Sequence, residues 1–455
     1  MPSRQSTAKR LLPPYGNRLM LVLWMALIGV TSGSLSASDR DEIRFRKLLQ
    51  GRHDNGRMIA MRAIGTDFQS RSAALPVVIE SLTALVDDPR FARAEKQGQP
   101  VLPDGVRLMI EFVGTIDRPD ATDALVRLLN CPFDSWSMAA VQTLCKNQHH
   151  TALDDVIALV DSDYFDRNYG FRFALARGLI EMKHPDAWEA LAKLYDRVEG
   201  QLAHRLHQQF EKVTAEDFKD DADRFQAWRG RVGLSIAEQD ADPSEVVQAS
   251  ATDPPLPQRM GLAPSQSAAS YLRERHLKPS KYYGIDIYAK RLLFVIDRSG
   301  SMKTPVGNQS RFEHAKQELG TAIMGLDESC EFSILVFDSD VRPWRPTLVQ
   351  ATEENKRNAL RFIDYLSAGS STNTYAALRQ SLDFDEQLEA VFMLTDGKPT
   401  SGQLVHPSAI LIDILRRNES HNITLNTIAI GVDPLMQGFL RKLTEPSEGE
   451  YREVN

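Results

Sequence analysis

Three oxygen-bearing side chains stand two residues apart at Asp297, Ser299 and Ser301, within Arg291–Met302 (RLLFVIDRSGSM). A carboxylate and two hydroxyls are hard oxygen donors, suited to Mg²⁺ or a similar ion. Leu292–Ile296 before them is a continuous apolar run rich in branched residues, the pattern of a strand buried on both faces. It ends at Asp297, and a turn containing Gly300 follows. An open α/β sheet places its ligands at the carboxyl ends of its strands, and the three donors fall at such an end. Two later stretches fit the same arrangement. Gly369–Thr374 (GSSTNT) opens a helical pattern, and Val391–Gly397 (VFMLTDG) reads as a second buried strand ending at Asp396.

Asp-x-Ser-x-Ser, then a threonine, then Thr-Asp-Gly, in this order and each on a suitable element, resembles the metal ion-dependent adhesion site of the von Willebrand factor type A (VWA) family. The resemblance covers about residues 282–455. A lone Asp-x-Ser-x-Ser carries little information, whereas three parts in order are specific. The resemblance implies an α/β doubly wound, Rossmann-like domain and a metal set of Asp297, Ser299, Ser301, Thr372 and Asp396. Thr372 matches the family's threonine in the S-T-N-T stretch, with Thr374 as the alternative. By the resemblance, Asp396 would contact the ion directly or through water. The implied cofactor is a divalent cation, Mg²⁺ first, with Mn²⁺ or Ca²⁺ as alternatives. The implied partner is a protein offering an exposed Asp or Glu. With one carboxylate held a water away, the ion stays under-neutralised and keeps an exchangeable position for that acidic group. Arg298 inside the metal turn and Lys398 just after Asp396 are two cations at this place. At the rim both would favour an acidic ligand, and Arg298 could equally weaken the site.

The elements that must position these residues alternate as a doubly wound sheet requires. Strands are expected at Leu292–Ile296, Glu331–Phe337, Ala390–Leu394, Asn422–Ile430 and Glu450–Val454. Helices are expected at Arg311–Leu326, Glu353–Leu366, Thr374–Leu382, His406–Arg417 and Leu435–Leu443. Val341–Trp344 returns as a short hairpin arm, and Lys281–Lys290 (KYYGIDIYAK) leads into the first strand as an edge element. The domain spans 281–455.

Residues 39–234 are helical by pattern. Asp120–Leu129, Thr151–Val160 and Asp186–Tyr195 look like one element repeated, starting 31 and 35 residues apart. Each follows another helical stretch: Gly105–Thr115, Trp136–Lys146 and Phe171–Met182. Arg57–Ile64 with Leu75–Val86, and Leu202–Val213 with Ala222–Gly230, extend the series. A pair of this kind exposes apolar stripes that only stacked neighbours bury, the logic of an α-solenoid. The region is similar to HEAT-type repeats; an irregular bundle is the alternative. His204 and His207 share a helix face, but no acidic third ligand follows at metal-binding spacing, so packing or surface roles are expected. Asp161–Asp166 (DSDYFD) lacks the Gly and terminal Glu of a Ca²⁺ loop and reads as a solvated loop. Residues 235–280, rich in Pro, Ser, Ala, Gln and Asp, read as a mostly disordered linker in which Ala268–His276 forms a short helix.

At the amino terminus, Arg4, Lys9, Arg10 and Arg18 precede the apolar Leu19–Val30 and the small residues TSGSLSAS. That is the layout of a secretory signal peptide over residues 1–38. The product is then exported to a periplasm, a cell envelope or the extracellular space. A membrane attachment follows only if the segment stays uncleaved, and twelve apolar residues are short for a span.

A chain of 455 residues is long enough for two or three domains. Its net charge of −7 at pH 7 disfavours nucleic acid as a partner. Three cysteines, Cys131, Cys145 and Cys330, cannot build a framework of bridges or a Cys-x-x-Cys knuckle. Cys131 and Cys145 either pair in an oxidising compartment or sit as buried thiols. No Gly-x-Ser-x-Gly elbow, phosphate-binding glycine loop or metalloprotease signature occurs. The expectation is therefore a binding protein rather than an enzyme. A metal-dependent enzyme and a scaffold with a purely structural ion are the competing classes.

Overall fold

A computed structural model describes residues 37–64, 68–96, 102–195, 197–214 and 279–454. The expected signal peptide up to residue 36, the stretch Ala222–Gly230, residues 235–278 of the expected linker and its short helix Ala268–His276 lie outside the described residues. The chain divides into two compact units between Thr143 and Leu144. Every helix or strand described before residue 215 is helical. Among the described residues no helix is long and apolar enough to cross a membrane.

In the first unit the helices are Ala37–Leu49, Asp54–Ala63, Phe68–Val86, Pro89–Lys96, Asp104–Gly114 and Pro119–Leu129, with Asp134–Lys146 running across the division. Pro119 starts its helix at N1, where the missing N–H is harmless. Phe68–Val86 begins earlier than the expected Leu75 and runs through Pro76, which forgoes one backbone bond. The core includes Val106, Met109, Ile110 and Val113 at helical spacing. Phe91 meets Trp136 edge-on, with ring centroids 5.2 Å apart.

In the second unit the expected helix at Thr151–Val160 is broken into a 3-10 turn at His150–Ala152, a short α-helix Leu153–Ala158 and a second 3-10 turn at Leu159–Asp161. Asp161–Asp166 is not a solvated loop: Asp163–Arg167 is a one-turn helix capped by Ser162, whose hydroxyl accepts from the Phe165 amide, and Phe165 is buried. Helices Tyr169–Met182, Pro185–Tyr195 and Gly200–Thr214 follow. His207 and His204 are both buried, and the His204 ring stacks on Tyr288 at 3.5 Å.

The α/β part has strands β1 Lys281–Tyr282, β2 Ile285–Asp286, β3 Arg291–Asp297, β4 Pro305–Val306, β5 Gln309–Ser310, β6 Glu331–Phe337, β7 Val341–Pro343, β8 Val349–Gln350, β9 Ala390–Thr395, β10 Thr424–Ile430 and β11 Tyr451–Val454. The main sheet runs β11-β10-β9-β3-β6-β7, and β8 also pairs with β6. All pairings among β3, β6, β9, β10 and β11 are parallel, while β7 and β8 lie antiparallel to β6. Lys281–Lys290 is not an edge of this sheet. It forms the separate hairpin β1–β2, because Tyr282 turns inward and meets Phe294 edge-on at 5.3 Å. The hairpin β4–β5 was not expected.

The central strands are buried on both faces, which explains their unbroken apolar runs. Leu292, Phe294 and Ile296 face one apolar cluster, and Leu293 and Val295 face the other. Helices Arg311–Met324, Glu353–Asp364, Thr374–Leu382, Pro407–His421 and Pro434–Thr444 carry the chain between strands. Four of them begin at a side-chain cap: Ser310, Thr352, Asn373 and Asp433, the residue types that satisfy orphan amides. After β3 the chain moves to β6 on one side, and it later returns through β9 on the other. The reversal falls between β3 and β9, and an open sheet has its binding crevice at the carboxyl ends beside such a reversal.

The opposite, amino-terminal end of these strands meets the helices of the same unit. The Tyr169 amide donates to the Glu386 carbonyl at 3.0 Å, and the Asn422 amide group donates to the Gly170 carbonyl at 3.1 Å. The Gln201 amide donates to the carboxylate of Glu389 at 2.8 Å.

Candidate metal centre

Asp297 ends β3 and is fully buried. Its Oδ1 accepts from the Ser299 amide at 2.8 Å and its Oδ2 from the Thr395 hydroxyl at 2.6 Å. Burial pushes its carboxyl up to about 6; hydrogen bonds from Thr395 and Ser299 oppose that rise and the neighbouring Asp396 adds to it. The hydroxyls of Ser299 and Ser301 lie 3.0 Å apart, and Ser301 Oγ donates to Asp396 Oδ1 at 2.7 Å. Asp297, Ser299, Ser301 and Asp396 thus belong to one connected group of oxygens, although Asp396 lies 95 residues from Ser301.

Thr372 lies near them, on the other side of Gly397. A side chain at residue 397 would put its Cβ 3.2 Å from Ser301 Oγ and 3.9 Å from Thr372 Oγ1. The glycine leaves a small space flanked by hydroxyls. Thr374 is fully buried at the start of its helix, and its hydroxyl has no hydrogen-bond partner.

Backbone bonds clasp the two contributing loops. The Gly300 amide donates to the Ser370 carbonyl at 2.9 Å, and the Gly369 amide to the Arg298 carbonyl at 2.5 Å. The Thr372 amide donates to Thr400 Oγ1 at 2.8 Å, while the Thr400 amide donates back to the Thr372 carbonyl at 2.9 Å. Thr400→Val keeps the shape and removes one acceptor. It is expected to cost about 1 kcal/mol, read as a lower urea midpoint at unchanged slope.

Both expected rim cations are already paired. Arg298 does not stand at the rim: its guanidinium is 15% exposed and lies 2.8 Å from the carboxylate of Asp338, itself 7% exposed, and donates to the Ser367 carbonyl at 3.2 Å. Gly369 leaves room for that carboxylate. The physical reason is local: Asp338 follows β6, the neighbour of β3, so the residues after the two strand ends come together. Lys398 remains on the surface, with its ammonium 2.7 Å from Asp433.

Arg311 is a site residue that the sequence reading missed. Its Nη1 lies 3.0 Å from Asp396 Oδ2, with the carboxylate completely buried and the guanidinium 18% exposed. Thr395 was also missed as a partner of Asp297, although it lies inside the Thr-Asp-Gly stretch.

The donor set fits a hard divalent cation: two carboxylates and three hydroxyls, all oxygen. Among the described residues no group of three or more His, Cys, Asp or Glu is placed to hold a metal ion.

The structure is a doubly wound α/β domain with acid and hydroxyl side chains clustered at its switch point. The family follows from comparison: the von Willebrand factor type A model matches residues 290–453, and that part of the chain is a VWA domain. Among relatives, human inter-alpha-trypsin inhibitor heavy chain H4 is 30% identical over 183 residues, 38% of this chain and 19% of that protein. Human von Willebrand factor A domain-containing protein 3A is 28% identical over 168 residues, 36% of this chain and 13% of that protein. The matches therefore span less than a fifth of these relatives' lengths. Among solved structures, a von Willebrand factor type A protein from Catenulispora acidiphila is 21% identical with a TM-score of 0.32, covering 36% of this chain and 38% of that one. Proximal thread matrix protein 1 of the mussel byssus, solved with a zinc-occupied metal ion-dependent adhesion site, is 13% identical with a TM-score of 0.29, covering 36% and 43%.

Proposed function

We propose that the VWA domain is a metal-dependent protein-interaction module that captures an acidic side chain of a partner protein. Asp297, Ser299, Ser301, Thr372 and Asp396 would hold the divalent cation, Mg²⁺ by the hardness of the donors. When bound, the ion supplies a positive centre with a replaceable coordination position. The protein's own part is to hold the oxygens in place: Thr395 and the Ser299 amide fix Asp297, and Ser301 bridges towards Asp396. The observation that carries this reading is that hydrogen-bonded group of hydroxyls and acids at the sheet's switch point. Its family membership supports it further.

The helical region would supply a second interaction surface, stacked as HEAT-like pairs. The amino-terminal segment would export the protein and leave the site facing an extracytoplasmic partner. Lys398, held by Asp433, is the one expected rim cation that remains half exposed to meet an acidic ligand.

The test is binding of Asp- and Glu-containing peptides to the immobilised chain in Mg²⁺ and in EDTA. Capture in Mg²⁺ that EDTA abolishes is the expected result. Capture indifferent to EDTA points to a scaffold. Turnover of a small ester or phosphate that disappears with Asp297→Asn points to an enzyme.

A further inference from the structure

Asp396 is fully engaged within the protein itself. One oxygen accepts from Ser301, and the other faces the guanidinium of Arg311. We propose that Arg311 is a built-in counter-cation of the site, holding the carboxylate that a divalent ion would otherwise claim and so setting the ion concentration at which the site loads.

Three features show that the contact is constructed. Arg311 is the first residue of helix Arg311–Met324, and its amide is tied to the Thr304 carbonyl at 3.0 Å. A cation in the first turn of a helix opposes the macrodipole, and the ion pair with Asp396 offsets that cost. The second Nη lies 3.4 Å from the Gly431 carbonyl, and Gly431 has a left-handed φ of +56° with no side chain. Any Cβ at Gly431 would strike the guanidinium. Helix start, strand end and the turn after β10 thus converge to make a slot for one arginine.

The consequence is competition. A divalent ion beside Asp396 meets a carboxylate already neutralised, and it also meets like-charge repulsion from Arg311. The ion-free protein is correspondingly protected from leaving two buried carboxylates side by side without a cation. Arg311 therefore lowers affinity for the ion while stabilising the protein that lacks it. Arg298 plays no such part, since its charge is matched by Asp338.

This inference rests on the metal-site reading, and one experiment separates the two. Mg²⁺ and Mn²⁺ binding is measured by titration calorimetry on the full chain, on Arg311→Gln, on Arg311→Lys and on Asp297→Asn. Melting is followed in EDTA and in Mg²⁺. Arg311→Gln is expected to bind Mg²⁺ at least tenfold more tightly than the unaltered chain. In EDTA it melts lower, and Mg²⁺ raises its melting temperature by more than it raises that of the unaltered chain. Arg311→Lys, which keeps a cation, stays within a few-fold of the unaltered chain. Equal or weaker binding by a folded Arg311→Gln, alongside measurable binding by the unaltered chain, overturns the counter-cation role and leaves the metal site standing. Failure of every variant, Arg311→Gln included, to bind either ion overturns both.

Discussion

Asp297→Asn is expected to weaken Mg²⁺ binding more than about 100-fold while leaving the far-UV circular dichroism unchanged. Changing even an outer partner of a metal ligand typically costs 10–100-fold in affinity, and Asp297 would be a direct ligand. It is also the acid of the site that no arginine neutralises, since Asp396 is matched by Arg311. Asparagine keeps an oxygen for the Ser299 amide and can still hydrogen-bond to the Thr395 hydroxyl, so the turn after β3 retains its support. Without metal, the variant should be at least as stable as the unaltered chain at neutral pH. Burial raises the Asp297 carboxyl to about 6, so the folded state prefers it protonated. Stability from this group is present at acid pH and lost as pH rises through about 6, and the neutral amide escapes that loss. Calorimetric titration with Mg²⁺, and melting in EDTA at pH 7.5, read the two halves separately. Undiminished Mg²⁺ binding by the folded variant would remove Asp297 from the metal set.

The strands and the acidic turn were legible because their chemistry is contiguous. Leu292–Ile296 cannot be buried on both faces unless it is a central strand, and Asp297, Ser299 and Ser301 follow directly. Residues 290–453 match the VWA family as that stretch suggested. What sequence could not provide was the pairing of distant charges. Arg311 and Asp396 stand 85 residues apart, and the only local hint was an arginine placed against a helix dipole. Sequence leaves Arg298 open between a rim cation and one that weakens the site, because its partner Asp338 follows the neighbouring strand's end rather than standing nearby in sequence. One helix end differs from the expectation because a polar residue there has a local partner. Pro407–His421 runs past the expected Arg417 because Asn418 is buried, its side chain bonding both the carbonyl and the amide of Ile423. Polarity there marks a closing helix end rather than a loop. Asp163–Arg167 is similar: Ser162 caps it and Phe165 anchors it, a shape too short to produce periodicity.

Glu389→Ala is expected to be the most destabilising change at the other end of the sheet, at about 3 kcal/mol or more. Glu389 sits just before β9 and is buried. Its Oε2 accepts from the Gln201 amide at 2.8 Å and from the Lys290 amide at 3.2 Å. Gln201 is the second residue of helix Gly200–Thr214, so a carboxylate from the α/β domain caps a helix from the preceding region and lies at the positive end of its dipole. Gly200 has a φ of +63° and no room for a Cβ, which the carboxylate would meet. Alanine at 389 would orphan both amides and leave a void. Glutamine would keep an acceptor while removing the charge, and that separates hydrogen bonding from ionisation. Burial pushes Glu389 up to about 7; the two amides and Arg172 pull against that, and Glu199 adds to it. The native state therefore holds a proton that the unfolded chain has released between about pH 4.5 and 7. Stability from this group is complete below that window and is lost as pH rises through about 7; at about 1.4 kcal/mol per unit the loss is roughly 3 kcal/mol. Urea unfolding from pH 5 to 8 should show the unaltered chain losing stability that Glu389→Gln retains, and the Gln201 and Lys290 amides should exchange faster in Glu389→Ala. Parallel pH profiles for the unaltered chain and Glu389→Gln would show that the carboxylate is not held protonated. Slow exchange in Glu389→Ala would show that the helix start is secured by other contacts, such as the bond from Tyr169 to Glu386 and the ion pair between Arg205 and Glu448.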